Sequence, residues 1–392
     1  MSKTSVDINP NILKWARIRA RYDEHSLAKK VGVGSDTYLK WESGESKPSL
    51  RQLFNITRKL NQPLQIFFMS EPPDEPEALA EMRRLPGSQV GSETPEFAAQ
   101  IHLVMERRDI ALRLYTELAK VPPKLELTFD LHDNPEKVAA SVRDAIDVNI
   151  TKQASWENYY DAIREWRSAL EAIGVLVFQI PDVGMDEMRG FSFALQPLPI
   201  IGVNIQDAPP GRIFTLFHEF THILLKESVL DSGGQDWYQT NNGFEVERFC
   251  NEVAGAILIP VEDIFAQAKK LVKSERETWN DPEVISLSKR YRVSRAVIIR
   301  RLRSLQLISR NSFNDLSEKY DVFEPRQPGG GGNPYANKIA HLGTLIPNLA
   351  FQAYYGERLT TSDLSLLLGL KAEHLGKLEQ KVTGFTYGFL GG

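Results

Sequence analysis

The sequence predicts a multidomain, mainly α-helical chain with an α+β core, an all-α N-terminal module and a small helical C-terminal domain. Three observations lead there. At 392 residues the chain exceeds what one compact core accommodates. Most of it carries the 3.6-residue apolar period of amphipathic helices. Only residues 175–204 change to short β-branched and aromatic runs. Hydrophobic content of 42% and charged content of 25% exclude a disordered or fibrous chain. No uninterrupted apolar run is long enough for a membrane span, and residues 1–7 lack an apolar signal core. A single cysteine, Cys250, rules out an internal disulfide framework and fits a reducing cytoplasm.

Net charge is −4, but residues 1–70 hold 12 Lys/Arg against 6 Asp/Glu, which gives +6. Residues 281–310 hold 8 against 2, again +6, so the remainder is strongly acidic. Two basic zones on an acidic chain direct attention to nucleic acid. In the first zone, residues 11–21 read as a basic amphipathic helix with Ile12, Trp15, Ala16 and Ile18 inward. Residues 26–33 form a short helix and a glycine turn, and residues 35–41 the next helix, for which Ser35 can serve as the cap after Gly34. Gly44 and Pro48 close that helix and residues 49–60 supply another. Leu27-Ala28, Val31-Gly32-Val33, Trp41-Glu42-x-Gly44 and Pro48-Ser49 resemble the XRE-type helix-turn-helix family over about the first 70 residues. The resemblance implies operator DNA as a partner, with the second helix of the pair in the major groove. Ser35, Lys40 and Arg51 are the expected DNA contacts. Asp36 and Leu39 on the same helix also suit a module that binds protein.

Residues 71–150 are expected to be a linker and a helical segment, beginning with the proline-acidic run Glu71-Pro72-Pro73-Asp74-Glu75-Pro76-Glu77. Residues 94–121 and 133–172 look helical, with Pro122-Pro123 between them. Tyr159, Ile163, Trp166, Leu170 and Ile173 form a core-facing stripe. Three strands follow, at 175–180, 190–194 and 199–204, the middle one alternating like a half-exposed strand.

The next segment carries the chemistry. Residues 213–225 are apolar, free of Pro and Gly, and contain His218-Glu219-Phe220-Thr221-His222. On a helix, positions i and i+4 share a face, so both imidazoles reach one ion, with Glu219 beside the first of them. That H-E-x-x-H pattern is what a zinc hydrolase needs, and a small sheet just before it is the zincin order. An edge strand of such a sheet can hold an extended peptide by strand addition. No third His follows in a metzincin-type extension, so a carboxylate on a second helix is expected. Residues 244–258 read as that helix, with Glu245, Glu247 and Glu252 as candidates. Glu247 borders the apolar stripe of Val246, Phe249, Cys250, Val253 and Ile257, and Asn251 stands four residues on, placed to support a ligand. Cys250 reads as a small buried apolar residue, and Tyr238 and Arg212 are candidate oxyanion donors.

Phe214 to His222, then Glu247-x-x-x-Asn251-x-x-Ala254 and Leu258-Ile259-Pro260, resemble the ImmA/IrrE family of metallopeptidases, over residues 150–310 together with the N-terminal module. The resemblance implies a gluzincin-like fold, with zinc held by His218, His222 and Glu247 and Glu219 as general base. It also implies a cytoplasmic zinc endopeptidase that cleaves one specific protein, a repressor, antitoxin or toxin encoded nearby. The alternative is a non-proteolytic DNA-binding regulator or antitoxin that keeps the peptidase fold as a scaffold. A homodimer is an expected option. The domains then fall at 1–70, 71–150, 151–265 for the zincin-like domain, 266–325, and 326–392.

Residues 281–309 resemble a second helix-turn-helix, in which Arg290, Arg292, Arg295, Arg300, Arg301 and Arg303 suit either DNA contact or a solvated basic face. Gln327 to Pro334 is glycine-rich, and Tyr335 to Val382 is expected to be a small helical domain, with Thr360 to Asp363 capping its second helix.

Overall fold

The computed structural model describes residues 5–73, 94–226, 229–231, 241–271, 279–320 and 334–383. They form two compact units, the first made of residues up to 73 with 94–105, the second of residues from 106 onward. The glycine-rich run before Pro334, most of the acidic linker and Tyr238 lie outside the described residues.

The first unit holds α1 (Pro10–Arg19), α2 (Glu24–Val31), α3 (Ser35–Glu42) and α4 (Leu50–Leu60). Local chemistry sets their ends. The Asn9 side chain accepts from the Asn11 amide and Pro10 opens α1. Asp23 caps α2, which Gly32 ends at φ 83°. Ser49 and Gln52 form a reciprocal capping box on α4. Ser35 is not the cap of α3; Gly34 occupies that position and gives no side-chain bond. Ile12, Leu13, Ala16, Leu27, Tyr38, Trp41, Leu53 and Ile56 make the core. Ile18 is not inward but 52% exposed, and Arg17 is buried in its place. The reason is an ion-pair anchor: Arg17 Nε donates to Glu42 Oε1 at 2.7 Å, and Nη2 lies 2.6 Å from Glu24 Oε1. That turns the buried face of α1 onto Ile12, Leu13, Ala16 and Arg17, two i, i+4 pairs.

Helix α5 (Pro95–Glu117) contributes to both units. In the second, the expected 133–172 helix is three: α6 (Pro135–Ala145), α7 (Ile150–Ser155) and α8 (Tyr159–Ala172). Asn134, Asn149 and Asn158 each cap one of them, and Asp147 turns at φ 51° between the first two. Three Asn caps outweigh a continuous apolar period.

The sheet has four strands, β1 (Leu176–Ile180), β2 (Gly190–Phe193), β3 (Ile200–Asn204) and β4 (Val229–Asp231), in the order β1-β3-β2-β4. β1 runs parallel to β3; β2 is antiparallel to both β3 and β4. The fourth strand is too short to stand out in the sequence. It also makes β2 an interior strand, so β2 is not free to take up a peptide by edge addition. Nor is β2 half-exposed: all four residues are buried. Its alternation is real, but both faces are covered. Phe191 lies opposite Gly202, and a Cβ on Gly202 would sit 2.3 Å from the Phe191 ring.

Helix α9 (Pro209–Leu224) packs on the other face with Val177, Ile201 and Val203, and α10 (Asn241–Leu258) lies against α9. Trp166 of α8 fills the centre, edge-on to Trp156 at 4.9 Å and Phe217 at 4.8 Å. Beyond α10 come α11 (Val261–Leu271), α12 (Asp281–Tyr291), α13 (Arg295–Ser304) and α14 (Arg310–Tyr320). The C-terminal α15 (Pro334–Leu342), α16 (Leu345–Tyr355), α17 (Thr361–Leu368) and α18 (Leu375–Thr383) are tied to the core by polar bonds. Arg167 Nη1 donates to the Ile339 carbonyl at 3.0 Å, and Glu171 Oε2 accepts from the Thr344 amide at 2.8 Å. The Thr360–Asp363 capping box is present but starts α17, the third helix of this group. No helix among the described residues is long and apolar enough to cross a membrane.

Candidate metal centre

Pro209 and Pro210 open α9 at positions that need no amide donor, and the helix is buried along most of its length. That burial brings His218 and His222 inside on one face. Helix α10 presents its apolar stripe to α9 and carries Glu247 at the border of that stripe. The two helices bring three side chains together. His218 Nε2 and His222 Nε2 are 3.2 Å apart; Glu247 Oε2 lies 3.2 Å from the first and Oε1 3.2 Å from the second. All three residues are buried. Zinc-to-ligand bonds of about 2.0–2.1 Å at tetrahedral angles put neighbouring ligand atoms roughly 3.3 Å apart, so this triangle fits such an ion. The donor set fits as well, because imidazole lone pairs and carboxylate oxygens that converge in a buried space need a cation or shared protons between them. Burial alone would raise the Glu247 carboxyl, but its hydrogen bonds to the two imidazoles outweigh it and hold Glu247 at about 2. Glu245 and Glu252 point to solvent, the latter 4.0 Å from Arg248.

Glu219 is fully buried on the turn between the two histidines. Its Oε2 accepts a hydrogen bond from Ser192 Oγ at 2.8 Å. Strand β2 reaches it because Gly190 has no side chain: a Cβ there would lie 2.5 Å from Thr215 Cγ2 and 2.8 Å from Glu219 Oε1. Reading along the chain missed Ser192 and Gly190. The available signal was small residues on one face of the strand that precedes the H-E-x-x-H helix. Asn251 is exposed, and among the described residues no hydrogen bond ties it to a ligand side chain. Cys250 is a free buried thiol next to His222, raised by burial. Arg212 is buried and donates to Gln179 Oε1 at 2.7 Å, which engages the guanidinium in the fold.

In the first unit, Ser35 is half-buried at the start of α3, with its Oγ 2.9 Å from His25 Nδ1. Lys40 and Arg51 are exposed, as are Asp36, Thr37 and Leu39. The second basic segment differs. Arg290 makes two 2.8 Å bonds to Asp263, and Arg292 donates to the Trp156 carbonyl at 2.8 Å. Arg301 holds Glu136 bidentately at 2.7 and 2.6 Å, and Arg295 stacks over Tyr320 at 4.6 Å.

A buried H-E-x-x-H helix on a small sheet, with a carboxylate from the next helix, defines a zincin-like domain. Family comparison agrees: residues 170–303 match the IrrE N-terminal-like domain of peptidase family M78, and residues 13–67 match a helix-turn-helix domain. The chain thus joins an XRE-type helix-turn-helix domain to an IrrE/ImmA-like domain. No curated protein matches it.

Proposed function

We propose that the protein is a zinc-dependent endopeptidase joined to a DNA-binding module, acting on one specific protein partner of repressor or antitoxin type. The observation that supports this best is the 3.2 Å triangle of His218, His222 and Glu247, with Glu219 on the same helix. In this reading residues 1–70 locate the protein on DNA and residues 151–265 carry out the cleavage. A zinc ion held by the three side chains would polarise the scissile carbonyl and acidify a water molecule. The Glu219 carboxylate would act as the base that accepts a proton from the attacking water and passes it to the leaving amine. The Ser192 hydroxyl, donating to Oε2, holds the Glu219 carboxylate in place on the helix. Burial excludes competing water from the base.

The alternative, a regulator that uses the fold only as a scaffold, gives no reason for the care taken over Glu219. A scaffold has no use for a carboxylate buried on the turn between the two histidines. Two sets of substitutions test the reading. Glu247→Ala should lose zinc while Glu245→Ala and Glu252→Ala keep it. Glu219→Gln should keep zinc and fold but lose cleavage of the protein encoded next to it by several orders of magnitude. If Glu219→Gln behaves as wild type in cells while deletion of the whole gene does not, the scaffold reading holds and the peptidase reading falls.

A further inference from the structure

Beside the metal centre lies a cavity of about 400 Å³ lined by Phe214, Phe244, Glu247, Gly255, Val297 and Arg300, among others. Two of its walls belong to the centre. Glu247 is one of the three converging side chains, and the Phe214 ring lies 6.3 Å from the His218 ring, tilted 32° to it. Glu247, Asn251 and Gly255 succeed one another at i, i+4 and i+8 on α10, and all three line the cavity. It therefore runs down that helix for about 12 Å from the centre. That length matches one large side chain and the extended residue beside it.

Gly255 is the informative residue. It sits inside an α-helix, where glycine is a weak helix former compared with alanine. No positive φ requires glycine there, and a Cβ would meet only Arg301 Cδ, at 3.8 Å. Neither backbone conformation nor close packing accounts for it. What its missing side chain provides is space in the cavity it lines together with Phe214, Phe244 and Val297.

We propose that this cavity is the specificity pocket of the enzyme, and that it takes a bulky apolar side chain, aromatic or long aliphatic, from the cleaved segment next to the scissile bond. The proposal rests on the peptidase reading above. Polar and charged residues, Arg248, Glu252 and Arg300 among them, also line the cavity, but its surface is mostly apolar, so burial of a large apolar side chain supplies the binding, while an alanine leaves the space unfilled. Gly255 and not a ligand sets the size limit, which makes the pocket separable from the chemistry.

The test uses full-length, zinc-loaded protein and peptide hydroxamates that differ only in one side chain, Phe against Ala, with binding measured by calorimetry. Acetohydroxamate, which has no side chain for the pocket, reports the metal centre alone. Wild type should bind the Phe compound about ten-fold or more tighter than the Ala compound. Gly255→Leu should bring the two within about three-fold while zinc content and acetohydroxamate affinity stay unchanged, and Gly255→Ala should fall between. Gly255→Ala also covers the case in which the larger residue does not fold, because alanine favours the helix. A Phe-to-Ala ratio near one in wild type, or a ratio untouched by either substitution, overturns the pocket assignment. Absence of zinc and of acetohydroxamate binding in wild type instead overturns the metallopeptidase reading, and the pocket with it.

Discussion

Residues 1–70 and 281–310 carry the same surplus of six positive charges, each around a helix-turn-helix-like pair, and they use that charge in different ways. In α2–α3 of the first unit the polar residues of the second helix stand in solvent: Asp36, Thr37 and Lys40 are exposed, with Arg51 on the following helix. In α12–α13 Arg290, Arg292, Arg295 and Arg301 turn inward or sideways, while Arg300 and Arg303 stay exposed. Arg290 holds Asp263, Arg292 holds a carbonyl, and Arg301 is 6% exposed and bound to Glu136. A surplus of six positive charges therefore stands largely in solvent in one place and in good part cross-braces the fold in the other. What separates them is whether acidic and carbonyl partners stand within reach, and that depends on tertiary structure. Net charge by segment cannot supply it.

The largest expected effect sets the two pairs directly against each other. Removing residues 1–72 should lower affinity for the protein's own promoter DNA by about two orders of magnitude or more, to the nonspecific level. Fluorescence anisotropy on the truncated and full chains measures it. Equal binding by both would reverse the comparison and make α13 the reader.

Next in size is a stability effect that only the bracing pair should show. Arg301→Ala leaves Glu136 and the Ile259 carbonyl without their donor. Because Glu136 is partly exposed, the cost should be about 2–3 kcal/mol, at the low end for a broken buried pair. Denaturant unfolding of the full chain reads this loss, and DNA affinity should not move.

These arginines also show where reading a sequence stops. The H-E-x-x-H spacing was legible because it is local: two imidazoles one helical turn apart need only the helix. Glu247 was legible as one of three carboxylates, since the apolar stripe of α10 separates it from Glu245 and Glu252. The N-terminal helices were legible because their caps and glycine turns are local as well. Ser192 and Gly190 were not, because their role appears only when β2 lies against α9. Arg17 was not, since its burial depends on Glu42 twenty-five residues away. Strand β4 has three residues and no period to detect. Across the molecule, features fixed within one or two helical turns could be read, and partner choice over longer separations could not.

A smaller effect sharpens the DNA side. Lys40→Ala and Arg51→Ala should each weaken DNA binding by about three- to ten-fold and reduce the dependence on salt by roughly one counterion. Arg300→Ala and Arg303→Ala, also exposed but on α13, should do neither. A salt titration of the four variants decides it. A loss confined to the α13 pair would show that the exposed arginines of the second zone contact phosphate.

The smallest effect is a difference in acid response between the two basic regions. In the first unit His102 is half-buried near Arg19 and Arg21; desolvation first, then the two cations, push it down to about 4. The unfolded chain, with the ordinary value near 6.5, then binds more protons than the folded one between these limits. Stability from this group is complete above about 6.5 and is lost as pH falls toward 4. The Asp263–Arg290 pair behaves differently. Burial would raise Asp263, but its hydrogen bonds to Arg290 and Tyr291 hold it below its ordinary 3.8. Its contribution stays intact over that window and is lost only in stronger acid. Hydrogen exchange at pH 7 and pH 5 should therefore show faster opening of α1 and α4 at the lower pH, with α12 unchanged apart from the chemical rate. His102→Gln should remove the difference in the first unit. If α12 opens as readily as α1 at pH 5, or if His102→Gln leaves the acid response in place, the two regions do not differ in the way their burial and pairing require.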